Sequence, residues 1–419
     1  MRRGRAVLLA MALGGLGASF WLIPQVGIAK PVATSSVRGT IPIATVLGNT
    51  EEFPAVAYDE GRDRYLVVYQ NDSTINGICL TAAGDTVAAY AIGTGVRPDV
   101  AYNVRNDQYL VVWDDTSDIE GAYVSGTCCM DPGCNGAPFP ISYDRPGLEF
   151  GPAVAYNHHP NYKDYLVVWT DDGNLVSHWA IYGRRVTSSY AFSGSSFAIT
   201  ETTAAWNYDP DVAYNLNMNE YLVVYISRPF LGSDLQPGDV YGRRVYNAGG
   251  GGLHPEQAID TSAGHQDQPS VAAYHLNAST PYVVVFRDYW NDTAGDVRGY
   301  LANTNGAPVS LLHISTEPLV PETQPDIASS DAMGGYVVAW TRETMPGADI
   351  YARRMSSTGV MEDVIEITAL SNYEEEAVVA GGVPVPIAVW HAGNGADMDV
   401  YGRFLYRQTY LPLTLRGME

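Results

Sequence analysis

The chain has few charged residues, and lysine is the scarcest of them. Only 17% of its 419 residues are charged, and the 24 basic residues include just two lysines, Lys30 and Lys163. Acidic residues number 46, which gives a formal net charge of −22. Nucleic acids and anionic membranes are bound through basic patches, so this balance argues against both as partners. The 46% hydrophobic content also excludes a charge-rich disordered chain.

Long apolar runs are absent after the first 29 residues. Three arginines among the first five residues precede an uncharged stretch that ends in small residues at Ala29, a pattern typical of a secretory signal peptide over 1–29. An uncleaved membrane anchor is the alternative, and Pro24 with three glycines disfavours it. We expect cleavage, no membrane span in the mature chain, a secreted or cell-surface location, and a short linker over 30–39.

Cysteine is scarce and clustered. Cys128, Cys129 and Cys134 lie close together, and Cys79 lies one repeat earlier. A bond between adjacent cysteines is strained, so we expect Cys134 to pair with one of Cys128 and Cys129, and Cys79 with the other. Zinc is the alternative, which the lack of a nearby histidine and of paired ligand spacing disfavours.

One pattern returns along the mature chain. Its copies open on Pro-x-Val-Ala-Tyr or a weaker form of it, with a mean spacing of (376 − 54)/6, about 54 residues. Periods of this size indicate solenoids, propellers or arrays. The openings begin at Pro54, Pro98, Pro152, Pro210, Pro269, Pro325 and Glu376.

Most copies continue with three further short elements. The second resembles Tyr-Leu-Val-Val-Trp and is apolar on both faces, which predicts a strand buried on both sides. The third carries Tyr-Gly-Arg-Arg-Val, and the fourth carries isoleucine before a small polar residue. Without any helical periodicity, these elements predict an all-β, seven-bladed β-propeller with four antiparallel strands per blade over residues 40–407.

The two ends of the repeat region predict ring closure. The seventh repeat has no clear fourth strand, whereas the segment Ile41–Leu47 carries the fourth-strand signature before the first repeat. We therefore expect the N-terminal strand to join the last blade and close the ring. The competing segment, Tyr410–Leu415, contains Pro412, which is unfavourable within a strand ladder. It belongs to a predicted C-terminal tail over 408–419.

These repeated elements resemble repeat-type seven-bladed β-propellers in secreted bacterial proteins, whose functions are mostly unassigned. The resemblance covers roughly residues 40–407 and implies fold and export but no activity, because propellers host many functions. The ending at residues 410–416 also resembles a short tail on some exported bacterial proteins, which suggests surface sorting.

The candidate ligand site lies at one predicted mouth of the propeller. Acidic residues precede the first strands, where they would surround the channel, and loop aromatics could stack on sugar rings or anchor a protein. The arginine pairs and the strand residues Asp99, Asp211 and Asp326 are interpreted instead as contacts between blades. The candidate ligand-binding residues are Glu52, Glu149, Asp209, Asp267, Glu322, Glu374, Trp206, Tyr208 and Trp290.

Calcium is the one candidate cofactor, because clustered carboxylates suit a hard cation. The best candidate loop contains Asp114, Asp115, Asp118 and Glu120. It does not match the Asp-x-Asp-x-Asp-Gly loop, and the alternative is that these residues fill a tight turn by bonding their own backbone.

The sequence favours a non-enzymatic, monomeric module that binds a protein or polysaccharide and is stabilised by calcium. No catalytic residue is assigned, and we expect no enzymatic activity. The alternative is a secreted glycan-active hydrolase or lyase with acidic residues at the channel mouth, since two suitably spaced carboxyl groups suffice for glycoside hydrolysis.

Overall fold

The computed structural model describes residues 39–46, 48–129, 135–161, 164–173, 178–189, 191–201, 205–231, 234–246, 252–290, 293–344, 346–368, 373–383, 385–393 and 397–406. The predicted signal peptide, most of the linker, Cys134 and the C-terminal tail lie outside these ranges. Within them the chain forms strands and no helix, so nothing there is a helix able to cross a membrane.

The strands follow the seven sequence repeats. Repeat 1 contains β2 (Glu51–Asp59), β3 (Arg64–Asn71), β4 (Thr74–Thr81) and β5 (Thr86–Thr94), and it is preceded by β1 (Ile41–Ala44). Repeat 2 contains β6 (Val96–Asn103), β7 (Gln108–Asp114), β8 (Ile119–Ser125) and β9 (Phe139–Pro140). Repeat 3 contains β10 (Glu149–Tyr156), β11 (Asp164–Asp171), β12 (Ala180–Thr187) and β13 (Phe197–Ala198). Repeat 4 contains β14 (Ala205–Asn215), β15 (Glu220–Leu231), β16 (Asp234–Leu235), β17 (Asp239–Tyr246) and β18 (Gln257–Asp260).

The later repeats continue in the same way. Repeat 5 contains β19 (Gln266–Ala273), β20 (Tyr282–Asp288), β21 (Asp296–Ala302) and β22 (Pro308–His313). Repeat 6 contains β23 (Glu322–Ser330), β24 (Gly335–Thr344), β25 (Gly347–Ser356) and β26 (Met361–Glu366). Repeat 7 contains β27 (Tyr373–Ala380), β28 (Ile387–Gly393) and β29 (Met398–Phe404).

Each repeat forms an antiparallel sheet in which the strands pair in chain order. In repeat 4, the short strand β16 pairs only with β15, beside the main sheet. Repeats 6 and 7 share one eight-stranded sheet, joined by a single parallel bridge between Ala348 and Tyr373. The outer place in repeat 7 is taken by β1, which pairs antiparallel with β29 and sets Ile41 opposite Gly402.

The predicted second strands are the buried centres of these sheets. Val67 and Val68 in β3 face opposite sides of the sheet, and both have no exposed surface. The strand tryptophans Trp113, Trp169 and Trp340 are equally buried and pack between neighbouring sheets. Full burial of a large apolar side chain stabilises by about 1.5–3 kcal/mol, so these contacts hold successive repeats face to face.

In several repeats the isoleucine motif ends the short outer strand with a side-chain cap. The Ile141 amide donates to the Ile119 carbonyl at 2.7 Å, and the Ile119 amide donates to Ser142 Oγ at 2.8 Å. The hydroxyl therefore replaces a backbone acceptor where the ladder stops. Thr368 does the same for Ile350 at 2.8 Å, which explains why a small polar residue follows the isoleucine.

The first arginine of each Arg-Arg pair ties a repeat to the preceding one. Arg184 donates to the Ile141 carbonyl at 2.7 Å, and Arg243 donates to the Ile199 carbonyl at 2.6 Å. Charged hydrogen bonds of this kind contribute about 1.5–3 kcal/mol each. The interpretation of the arginines as contacts between blades fits these bonds.

The following residue of the third strand ties a repeat to the next one. Arg354 donates to the Leu405 carbonyl at 3.0 Å, and the Tyr123 hydroxyl donates to the Thr187 carbonyl. In repeat 1 the same position is Cys79, which forms a disulfide with Cys128 of repeat 2. The prediction that Cys79 pairs with one of the adjacent cysteines is confirmed, and the bond replaces the polar contact used elsewhere.

Candidate channel-mouth site

Every first strand has a β-bulge just before the opening proline of its repeat, or before Ala377 in repeat 7. The seven bulge residues all have φ between 49° and 59°. This left-handed conformation costs a non-glycine residue roughly 1–2 kcal/mol, and such strain clusters at functional sites. We call these residues the mouth ring: Phe53, Arg97, Gly151, Asp209, Gln268, Gln324 and Glu376.

The mouth ring borders a cavity of about 410 Å³ at the beginning of the first strands. Six of its residues, all except Asp209, line the cavity directly, together with the opening prolines and the three strand aspartates. The first strands adjoin one another in order, and β27 also lies against β2. The repeated bulge thus presents a different side chain from each repeat to one shared space.

Glu376 is held on one side by neighbouring ring residues. The Gln268 Oε1 atom accepts a hydrogen bond from the Gln324 amide at 2.8 Å. Gln324 Oε1 accepts from the Glu376 amide at 3.2 Å, and Gln324 Nε2 donates to Glu376 Oε1 at 3.3 Å. Its other oxygen, Oε2, lies 3.5 Å from Nδ1 of His391, a buried histidine of β28. These contacts fix the carboxyl group at the cavity wall.

Burial favours the protonated form of the Glu376 carboxyl at neutral pH. Burial raises the pKa of Glu376 to about 8, the carboxylates of Glu375 and Glu52 add to the shift, and Arg97 opposes it. Burial also lowers the pKa of His391 to about 4. Both members of the pair are therefore uncharged at pH 7, and the proton resides on Glu376.

Arg97 supplies a cation to the ring, and Asp209 supplies a second carboxyl group. Burial raises the pKa of Asp209, and the Arg97 guanidinium opposes this rise. Asp114 holds Arg97 through contacts of 2.9 Å to Nε and 2.5 Å to Nη2. Burial raises the pKa of nearby Asp267 to about 6. The mouth therefore combines a protonated carboxyl, ionisable carboxyls and a fixed cation, which suits acid–base chemistry.

The strand aspartates connect alternate pairs of repeats below the ring. The backbone amides of Val154, Val271 and Val379 each donate at 2.7 Å to an aspartate of the preceding repeat. The acceptors are Asp99, Asp211 and Asp326. These bonds agree with the interpretation of the three aspartates as contacts between blades.

Three predicted ligand residues are not brought to the mouth. Glu149, Glu322 and Glu374 are at most 2% exposed and lie between sheets. Each stands at the first or second position of its strand and interacts with the polar residue after the preceding isoleucine; Ser142 Oγ, for example, donates to Glu149 Oε2 at 3.2 Å. Their position two or more residues before the bulge directs them into these lateral contacts.

The other predicted acids lie closer to the ring. Asp209 is a ring member, and Glu52 and Asp267 each stand one residue before the bulge in their strands. Burial is the main cause of the raised pKa of both Glu376 and Asp267. Glu52 lies near enough to Glu376, and Asp209 near enough to Asp267, to raise these pKa values further. The sequence did not single out Phe53, Arg97, Gln268, Gln324 or His391. The only signal of the four ring residues is their position before the proline of their repeat, and His391 in β28 has no such signal.

Two of the predicted aromatics form a cluster beside the ring, and the third stands apart. Trp206 stacks on Trp179 with centroids 4.9 Å apart and planes 14° apart, and Tyr208 meets Trp179 edge-on at 6.3 Å. Trp290 is 51% exposed and lies 5.2 Å from the Arg298 guanidinium.

The calcium candidates are engaged in their own loop. Asp114 pairs with Arg97, and Asp115 Oδ1 accepts the amides of Ser117 and Asp118 at 3.1 and 2.9 Å. Burial raises the pKa of Glu120. Among the described residues, no group of three or more His, Cys, Asp or Glu is arranged to hold a metal ion. These contacts agree with the alternative interpretation, in which the acidic residues fill a tight turn by bonding their own backbone.

Solved structures similar to the chain are β-propeller proteins. The Cps50 (Swd1) β-propeller domain of Myceliophteria thermophila matches with a TM-score of 0.51 and 7% identity, covering 87% of this chain and 98% of its own. The α-L-arabinanase of Penicillium chrysogenum has a TM-score of 0.46 and 10% identity, covering 88% and 98%. A thermostable family-43 glycoside hydrolase has a TM-score of 0.44 and 10% identity, covering 80% and 98%. No family model and no curated protein sequence matches the chain.

These likenesses confirm the predicted propeller repeat fold. The prediction that the chain is not an enzyme is corrected, because glycoside hydrolases are among the similar structures and the fold therefore gives no ground for excluding an activity. At identities near 10% the likeness shows the fold alone. The activity must therefore be argued from the mouth ring itself.

Proposed function

We propose that the chain is a secreted glycan hydrolase whose active site is the mouth ring. The observation that carries this proposal is the position and the pKa of the Glu376 carboxyl. This group lies in the cavity wall, and its pKa is raised to about 8, mainly by burial. A glycosidic bond breaks when one acid protonates the leaving oxygen and a second carboxylate acts at the sugar ring. Glu376 has the protonation state that the first role requires at neutral pH.

In this proposal Asp209 is the second carboxylate. It occupies the equivalent bulge in repeat 4, and its carboxyl and that of Glu376 both interact with Arg97. Burial is the largest cause of the raised pKa of Glu376. The carboxylates of Glu375 and Glu52 raise it further and thereby keep the proton in place. Glu376 would donate this proton to the leaving oxygen, while Asp209 attacks the anomeric carbon or activates a water molecule.

We also propose a closed seven-bladed ring as the scaffold of this site. Pairing of β1 with β29 supports it, as do hydrogen bonds from the Tyr58 and Tyr65 hydroxyls of repeat 1 to the Val383 and Val385 carbonyls of repeat 7. Export is supported by the disulfide between Cys79 and Cys128, because such bonds persist in oxidising compartments.

The test is release of reducing sugars from a panel of soluble polysaccharides. We expect wild-type turnover on at least one of them and a loss of roughly 100-fold or more in Glu376→Gln, the range for a lost general acid. Glu60→Gln is the matched control, because Glu60 lines a separate cavity of about 650 Å³ that includes His158 and His275. Equal activity of Glu376→Gln and Glu60→Gln would overturn the assignment.

A further inference from the structure

We propose that the aromatic residues Phe150, Trp179, Trp206 and Tyr208 form a sugar-binding platform that leads a neutral polysaccharide chain over Gly151 into the mouth. This inference rests on the proposed function, since it names the substrate class of the same site. We call these four residues the aromatic platform.

The aromatic platform is held rigidly by backbone pairing between two repeats. Trp179 and Trp206 form an isolated parallel bridge, in which the Trp179 amide donates to the Ala205 carbonyl at 3.2 Å. The Asn207 amide and side-chain Nδ2 both donate to the Trp179 carbonyl, at 3.1 and 2.9 Å. A platform fixed in this way loses little conformational entropy when a ligand stacks on it.

The ring geometry suits flat apolar ligand faces. Trp179 stacks on Trp206, and the Phe150 ring meets Trp179 edge-on at 5.3 Å. All four platform side chains are half-buried, so part of each ring remains in contact with solvent. Large aromatic rings of this kind provide contact area for the C–H faces of a sugar.

Gly151 connects the platform to the cavity. It is the only mouth-ring position without a side chain, it directly follows Phe150, and a Cβ atom placed on it would meet nothing within 4 Å. The ring is therefore open at repeat 3, between Arg97 and Asp209. A chain lying on the platform would pass through this gap toward Glu376.

The charges at the mouth select an uncharged chain. Four acids lie at or beside the ring, namely Asp209, Asp267, Glu52 and Glu375. Of the cations there, Arg97 is paired with Asp114, and Arg287 and Arg228 lie near enough to Asp267 to oppose the rise that burial causes in its pKa. Because the acids outnumber these three arginines, a uronate chain would meet net repulsion. Neutral polysaccharides avoid this cost and retain the stacking contacts.

The test measures binding separately from turnover. The Glu376→Gln variant is run by affinity gel electrophoresis in linear arabinan, galactomannan and β-glucan as neutral chains, and in polygalacturonate as the anionic chain. We expect retardation in at least one neutral polysaccharide and none in polygalacturonate. Adding Trp179→Ala or Gly151→Gln should weaken binding roughly fivefold or more, because one removes the stacking surface and the other closes the gap. Glutamine is a fair replacement because it occupies the equivalent bulge as Gln268 and Gln324.

Trp290→Ala is the matched control and should bind as tightly as its parent, and thermal melting checks that every variant is folded. No retardation in any neutral gel, equal binding after Trp179→Ala and Gly151→Gln, or equal retardation in polygalacturonate would overturn the inference. Platform-dependent binding without wild-type turnover would support the platform and refute the hydrolase. Turnover that depends on Glu376 but not on Trp179 or Gly151 would support the hydrolase and refute the platform.

Discussion

The Oε2 atom of Glu376 lies 3.5 Å from Nδ1 of His391, and the two groups are uncharged together at neutral pH. Burial sets both states, because it raises the pKa of the acid to about 8 and lowers that of the imidazole to about 4. An ion pair would put the proton on histidine and leave a carboxylate unable to protonate a leaving group. The burial of each group therefore favours the uncharged form of both, and the protonated Glu376 is the form that can act as an acid.

The first prediction concerns the pH dependence of turnover. After burial, the Glu375 carboxylate is the largest contributor that raises the pKa of Glu376. Glu375→Gln removes this negative charge, so the pKa of Glu376 should fall and the alkaline limb of kcat/KM should move to lower pH by roughly 0.5–1 unit. Glu343→Gln, more remote from Glu376, serves as the control. An unchanged or raised alkaline limb in Glu375→Gln would contradict this.

The second prediction concerns stability and pH. Burial raises the pKa of Asp211 to about 7, far above its value of about 3.9 in an unfolded chain. Ser270 Oγ lies 3.0 Å from Asp211 and 2.9 Å from Asp326, and one hydroxyl proton cannot serve both carboxylates. The stability that the protonated group provides is complete below pH 4 and is lost as the pH rises to 7.

Asp211→Asn should therefore destabilise most at low pH. In the wild type, Asp211 lowers the free energy of unfolding by on the order of 1 kcal/mol per pH unit between pH 4.5 and 7.5. The variant lacks this contribution to the pH dependence. Urea denaturation at several pH values measures the difference. Asp363→Asn, at an exposed residue of β26, should leave the slope unchanged. If Asp211→Asn destabilises equally at pH 5 and pH 8, the assigned protonation is wrong.

The third prediction ranks two equivalent links between repeats. Cys79 and Cys128 are 49 residues apart, so loss of their bond in Cys79→Ala/Cys128→Ala should reduce the free energy of unfolding by about 2–4 kcal/mol. Tyr123→Phe, which removes the hydrogen bond at the same strand position of repeat 2, should cost about 1 kcal/mol. Chemical denaturation of both variants checks the order, and the opposite order would count against the shared role.

The fourth prediction concerns the N-terminal strand. Deletion of residues 30–48 removes β1, with the buried Ile43 and Ala44, and exposes the edge of β29. The Tm should fall by roughly 10 °C or more, since several kcal/mol of burial and pairing are lost. Deletion of residues 30–38 leaves β1 in place and is the control. An unchanged Tm after the longer deletion would refute closure through β1.

The strands could be predicted because their signals recur. Tyr65, Leu66 and Val67 have close equivalents in the first six repeats, and a strand buried on both faces leaves an unmistakable apolar run. The role of the arginines followed from the same regularity, because one side chain at one strand position must make one kind of contact. Repetition therefore made both the architecture and its links predictable.

The mouth ring could not be predicted because its members do not resemble one another. Phe53, Arg97 and Gln324 share only a bulge conformation that their side chains disfavour and that no local propensity indicates. The same limit separates Glu374 from Glu376. These two acids stand two residues apart in one strand, yet one is buried between sheets and the other borders the cavity. Sequence alone could not locate the bulge that distinguishes them.

The most direct test of the central claim compares two leaving groups in Glu376→Gln. A general acid is needed to release an alcohol from a glycan but not to release 2,4-dinitrophenolate, which departs without protonation. We predict that kcat/KM falls roughly 100-fold or more on the polysaccharide but only a few-fold on the 2,4-dinitrophenyl glycoside of the same sugar. Equal losses on both substrates, or no loss on the polysaccharide, would contradict the assignment of Glu376 as the proton donor.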